Sequence, residues 1–153
     1  MTLLELLLPD LVFPRIPCVS KNELISILVD RIYGSGREPP LPPNKMLSTI
    51  QLREEIGGTL LPSGLSVPHA RLKDYEGFIL ALATPAEPLF HEGHQIHLMA
   101  VMISSQSGGP WYLPVLALLT KISRDSEYFA RLCAAHNPEE FISVLKERDM
   151  ELA

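Results

Sequence analysis

From Ser20 onward the apolar positions Leu24, Ile25, Leu28, Val29 and Ile32 recur at helical spacing, which predicts an amphipathic helix with one buried face. Ser20 followed three residues later by Glu23 is a capping-box pair, and Gly34 offers the stop. The stretch 34–43 is rich in glycine and proline. Its prolines remove backbone donors and push the residues before them to extended geometry, so it is predicted to be a surface loop. A second helix is predicted from Asn44, with Leu47, Ile50 and Leu52 or Ile56 turned inward, and Gly57-Gly58 ending it. Arg53 and Glu54 then fall in its last turns.

Beyond Gly58 the period changes. Thr59-Leu60-Leu61 and Leu65-Ser66-Val67 are short strand candidates around Pro62-Ser63-Gly64, and the apolar runs 78–82 and 96–103 read as strands buried on both faces. Pro110 and Pro114 fit only near a helix start, so the run 115–119 is predicted to continue a helix to about Ile122. Asp125 or Ser126 can cap a further helix through Cys133, and Asn137-Pro138-Glu139-Glu140 combines a cap, a proline at the first helical position and an acidic first turn. Helices, then strands, then helices predict a three-layer α/β/α domain with a central mixed sheet.

The chain has 153 residues, of which 46% are hydrophobic. That suits one globular domain over 1–153. The apolar first thirteen residues carry Glu5 and Asp10 without a basic leader or a small-residue cleavage pattern, so export is not expected. Prolines and charges interrupt every apolar stretch before roughly 18 residues, which argues against membrane insertion. The two cysteines, Cys18 and Cys133, lack metal-type spacing and read as buried free thiols in a reducing cytoplasm. A formal net charge of −5 argues against nucleic acid as a partner.

Candidate chemistry centres on Gly64-Leu65-Ser66-Val67-Pro68-His69-Ala70-Arg71. Pro68 biases Val67 to extended geometry and cannot donate to a sheet ladder, so the strand is expected to end there and His69 to emerge at its end. A histidine with an ordinary pKa of about 6.5 is largely neutral at pH 7 and keeps a nucleophilic ring nitrogen that can accept a phosphoryl group. Phosphoryl transfer demands positioning and charge neutralisation, for which arginine supplies planar donors. Arg53 and Arg71 are the candidates.

From Leu52 to Arg71 the string Leu-Arg-Glu-Glu-Ile-Gly-Gly-Thr-Leu-Leu-Pro-Ser-Gly-Leu-Ser-Val-Pro-His-Ala-Arg resembles the signature of the fructose/mannitol-type enzyme IIA domains of the bacterial phosphotransferase system, including the nitrogen-regulatory branch. The resemblance extends over most of the chain. It implies a mixed sheet sandwiched between helices and a cytoplasmic phosphocarrier. His69 would take a phosphoryl group from an HPr-like protein and pass it to a IIB domain, or hold it as a signal to a regulatory target protein, with the nitrogen-regulatory type favoured. Arg53 matches the family's phosphate-stabilising arginine, Thr59 and Gly64 match positions that shape the loop, and no metal or organic cofactor is implied. Two departures concern the site: Ala70 follows the histidine where glycine is common, and Tyr112 stands where many members carry a second histidine. Tyr112 can donate a hydrogen bond but cannot become cationic, so it would support transferred charge less well. The Pro-rich stretch 38–43 is a third departure, longer and stiffer than expected for the family. The alternative reading is a regulatory protein-binding module with weak or lost phosphotransfer.

His91, His94 and His97 repeat every third residue. They could in principle bind zinc, but Gly93 puts His91 and His94 on a turn while only His97 begins a strand, which spreads the three. His136 reads as a helix-end surface residue and Trp111 as an anchor over the end of the core. Asp74 either orients His69, pairs with Arg71 or lies in a solvated turn.

Overall fold

The computed structural model describes residues 1–152. Its elements are α1 (Leu3–Leu6), a 3-10 turn (Pro9–Leu11), β1 (Val12–Ile16), α2 (Lys21–Gly34), α3 (Pro43–Ile56), β2 (Leu65–Ser66), β3 (His69–Leu72), β4 (Ile79–Pro85), β5 (Leu89–His91), β6 (His94–Ile96), β7 (Leu98–Ser105), α4 (Tyr112–Arg124), α5 (Ser126–Cys133) and α6 (Pro138–Leu145). The main sheet is mixed. β4 and β7 run antiparallel at its centre, β1 lies parallel to β4, and β2 and β3 lie in succession parallel to β7. β5 and β6 form a separate hairpin.

Alternation along β4 and β7 divides the core in two, because successive side chains of a strand point to opposite faces. Leu80, Leu82, Leu98, Ala100 and Met102 pack with α4, α5 and α6, whereas Ala81, Ala83, Met99, Val101 and Ile103 pack with α2 and α3. Helices on both faces thus form the outer layers of the α/β/α arrangement that the element order predicts. Both central strands are covered on each side, which is why their sequences are unbroken apolar runs.

Ser20 accepts a hydrogen bond from the Glu23 amide at 3.1 Å, but the Glu23 carboxylate accepts from the Val19 amide, not from that of Ser20. Half of the predicted capping box is therefore realised. Pro43 opens α3, and Met46, Ile50 and Glu54 are its buried positions; Leu52 and Ile56, expected to turn inward, are exposed at 59% and 77%. Asp125 caps α5 and Asn137 caps α6.

Two further expectations need correction, and one strand was not foreseen. Thr59-Leu60-Leu61 forms no strand and contributes only a bridge between Leu60 and Ser66. β1 was not anticipated: Pro14 lies within it, Arg15 takes a positive φ of 56° and the register shifts between Phe13 and Ile16, so no clean alternation marks it. Last, β2 ends before Pro68 as expected, but His69 then opens a further strand, β3. β2 and β3 keep one unbroken register on β7, Leu65 opposite Leu98 and His69 opposite Met102. Pro68 interrupts this ladder without ending it, since its carbonyl still accepts from the Met102 amide at 3.0 Å.

Candidate functional site

The loop entering β3 is pinned at several points. Gly64 sits at φ +95°, where an added Cβ would lie 2.3 Å from Cδ2 of His97, so both backbone conformation and space require glycine. The Gly64 carbonyl accepts from the amides of His97 (2.8 Å) and Leu98 (3.2 Å), and the Thr59 carbonyl accepts from Val67 at 3.2 Å. Thr59 Oγ1 donates to the Glu54 carboxylate, whose Oε1 lies 2.7 Å from Lys21 Nζ. Lys21 and Glu54 are both buried, each side chain only 4% exposed. This triad ties the start of α2 and the end of α3 to the loop, so Thr59 and Gly64 hold shape at a distance from the imidazole.

By the period of the strand, His69 and Arg71 project from the sheet face that carries α4. His69 is 5% exposed. Its ring stacks on Tyr112 with centroids 4.0 Å apart and planes inclined by 12°, and Nε2 lies 2.7 Å from Ser104 Oγ. The Arg71 guanidinium lies over the Tyr112 ring, 5.3 Å from its centroid. Arg53, exposed in the last turn of α3, donates from Nη1 to the Gly57 carbonyl at 3.3 Å. Burial first, then the charges of Arg71 and Arg53, push the His69 pKa down from 6.5 to about 4. The imidazole is therefore neutral at pH 7 and carries one bare nitrogen. A neutral imidazole within reach of two arginine charges, beside the first turn of α4, is an environment suited to an arriving anion.

The family model described as phosphoenolpyruvate-dependent sugar phosphotransferase system, EIIA 2, matches residues 5–148. The chain belongs to this family. It is 30% identical over 134 residues to the PTS system 2-O-alpha-mannosyl-D-glycerate-specific EIIABC component of Escherichia coli (strain K12), an alignment covering 84% of this chain and 20% of that protein. The chain thus spans about a fifth of that relative. It is 24% identical over 139 residues to the nitrogen regulatory protein of the same strain, covering 88% and 83% of the two chains. Among solved structures, the nitrogen regulatory protein IIA-Ntr of Neisseria meningitidis superposes with a TM-score of 0.73 at 20% identity, covering 92% of this chain and 97% of that one. The IIA mannitol domain of Escherichia coli gives 0.71 at 19% identity, with coverage of 91% and 98%. These likenesses identify the fold.

In this EIIA 2 chain, His69, Arg71 and Tyr112 are brought together, and Arg53 lies close enough for its charge to act on the imidazole. Asp74 makes no hydrogen bond or ion pair with His69 or Arg71; it occupies a turn after β3 at φ 58°. Ala70 has strand geometry and no positive φ, so replacing glycine there carries no backbone strain. His91 and His94 face each other as the end pair of the β5–β6 hairpin, while His97, lying between β6 and β7, packs edge-on against Phe129. No group of three or more His, Cys, Asp or Glu is gathered in metal-binding reach among the described residues. Cys18 and Cys133 are free and half-buried, and burial pushes the Cys133 thiol up to about 12. No helix among the described residues is long and apolar enough to cross a membrane.

Ser104 escaped the sequence reading. The sequence shows only a hydroxyl at the polar end of an otherwise apolar strand; that it faces the same side of the sheet as His69 follows from the pairing of β3 with β7.

Proposed function

We propose that this chain is a phosphohistidine carrier of the phosphoenolpyruvate-dependent phosphotransferase system. His69 accepts a phosphoryl group from an HPr-like protein and passes it to a IIB domain or holds it as a regulatory signal, in a cytoplasmic role of the nitrogen-regulatory type. The observation that carries this reading is the neutral His69 imidazole packed under Tyr112 beside two arginine charges. Arg53 is the principal clamp on the transferred phosphoryl oxygens, and Arg71 and Tyr112 support it. The exposed Leu52 and Ile56 on α3 and Leu113 on α4 offer apolar ground on both sides of the site for a protein partner. A IIB partner finds support in the solved complex of enzyme IIAMtl with phosphorylated enzyme IIBMtl of Escherichia coli, whose fold this chain matches with a TM-score of 0.70.

The test is intact-mass analysis after incubation with phosphoenolpyruvate, enzyme I and HPr. One acid-labile phosphoryl group is expected on the wild type and none on His69→Ala; labelling that persists in the variant refutes the assignment. A second reading, a regulatory binding module with slow or lost phosphotransfer, is favoured by one observation: an uncharged ring, Tyr112, covers His69 where many family members have a histidine. It predicts no labelling of a folded wild type with any HPr source.

A further inference from the structure

The joint between α4 and α5 encloses a cavity of about 520 Å³ that shares no lining residue with the site around His69. α4 ends at Arg124, Asp125 alone separates it from α5, and Ser126, Ala130 and Ala134 recur every fourth residue along the wall that α5 and its cap supply. Side chains this small, stacked on one helix face, leave the space in front of them unfilled. Ser63, in the loop that leads to β2, and His97, from the link between β6 and β7, complete the lining.

Most of the wall is apolar or already satisfied. Phe129 is buried, and its ring meets that of His97 edge-on with centroids 6.3 Å apart. Burial pushes the Cys133 thiol up to about 12, so it stays protonated at neutral pH and adds apolar surface, not a nucleophile. The buried Ser123 hydroxyl donates to the Thr120 carbonyl at 2.9 Å and accepts from Ser63 Oγ at 2.8 Å.

Two groups in the lining are not satisfied. Among the described residues the exposed Arg124 guanidinium has no ion-pair partner, and neither it nor the His97 ring makes a hydrogen bond. α4 already has Lys121 in its last turn to answer its carbonyl end, which leaves the donors of Arg124 to the cavity. The chain has 18 acidic residues, yet none lines this space, so no carboxylate of the protein neutralises the guanidinium from within it. We propose that the cavity binds a small organic anion, a carboxylate on a compact apolar body, with Arg124 gripping the carboxylate and Phe129, Ala130 and Cys133 covering the body. The planar guanidinium matches both carboxylate oxygens, His97 can donate to one of them, and the volume lies in the range of small-molecule sites.

Titration of the full chain with benzoate, followed by amide proton–nitrogen spectra, tests the site; benzamide serves as the neutral isostere and sulfate as an anion without an apolar body. Benzoate is expected to shift the amides of Ser63, His97 and residues 123–134 saturably, and to bind at least about tenfold more tightly than either control. Arg124→Gln should raise the benzoate Kd about tenfold, and Ala130→Trp, which adds bulk at an exposed helix position lining the cavity, should abolish the shifts. Thermal unfolding followed by circular dichroism establishes that both variants are folded. No saturable shift up to about 10 mM benzoate, or shifts confined to the surroundings of His69 and Arg71, overturns the proposal. So does benzamide or sulfate binding as tightly as benzoate, since the carboxylate or the apolar wall then contributes nothing, and so do folded variants that bind benzoate like the wild type.

Discussion

Replacing Lys21 by methionine removes one half of a buried ion pair and leaves the other half stranded. Lys21 Nζ is 2.7 Å from Glu54 Oε1, both side chains are 4% exposed, and the only other polar partner of the carboxylate among the described residues is Thr59 Oγ1, at 2.9 and 2.7 Å from its two oxygens. A neutral hydroxyl cannot compensate a full negative charge in that position, so Lys21→Met is expected to destabilise the fold by about 3–5 kcal/mol. For a chain of this size that corresponds to a melting temperature lowered by roughly 6–20 °C. Urea unfolding followed by far-ultraviolet circular dichroism measures it, with an unchanged slope confirming that the native state alone is affected. The double variant Lys21→Met/Glu54→Gln keeps an acceptor for Thr59 and leaves no stranded charge, so it should recover more than half of the loss. A single variant costing less than about 1 kcal/mol, or a double variant no more stable than the single, would refute the reasoning.

Two other outcomes follow from the site. Gly64→Ala forces a side chain into φ +95° and into contact with the His97 ring at 2.3 Å, so it should cost about 2 kcal/mol or more in urea unfolding; a loss under about 0.5 kcal/mol would show that the loop accommodates a Cβ freely. The depressed His69 pKa of about 4 makes stability depend on pH: between 6.5 and 4 the unfolded chain binds a proton that the folded chain refuses. The fold is thus most favoured above pH 6.5 and loses up to about 3 kcal/mol from this group as pH falls through 4. Comparing wild type with His69→Gln across that range isolates the effect, and parallel stability curves for the two would contradict it.

Local rules that act within a few residues were legible before any coordinates. Ser20 and Asn137 mark their helices because a cap is decided by neighbouring amides, and the 96–103 run announces a strand covered on both faces. What could not be read depended on distant partners. Arg15 accepts its positive φ in β1 because its amide reaches Thr84 Oγ1 at 2.8 Å and its guanidinium reaches the carbonyls of Ala134 and Ala135; nothing near Arg15 in sequence signals that. Leu52 and Ile56 keep helical spacing yet face outward, because the inward stripe passes through Met46, Ile50 and the charged Glu54, which a hydrophobic count overlooks. In the candidate site the histidine, both arginines and the tyrosine were evident from the motif and its surroundings. The register that sets Ser104 two residues past the partner of His69 exists only once β3 and β7 pair.

That pairing has another side. Among the described residues β3 has β7 as its sole strand neighbour, so the strand bearing His69 leaves a row of backbone donors and acceptors without a sheet partner, the kind of edge onto which a second molecule could add itself. Under the proposed function His69 exchanges a phosphoryl group with other proteins, and a strand with one free edge gives them an approach at the risk of indiscriminate strand addition. Brevity and charge counter it: β3 is four residues long, the exposed Arg71 sits within it, and the positive-φ Asp74 turns the chain away just beyond its end. The arginine beside the histidine is thereby also a guard on solubility, and exchanging it for an apolar β-branched residue would risk turning an approachable edge into an adhesive one.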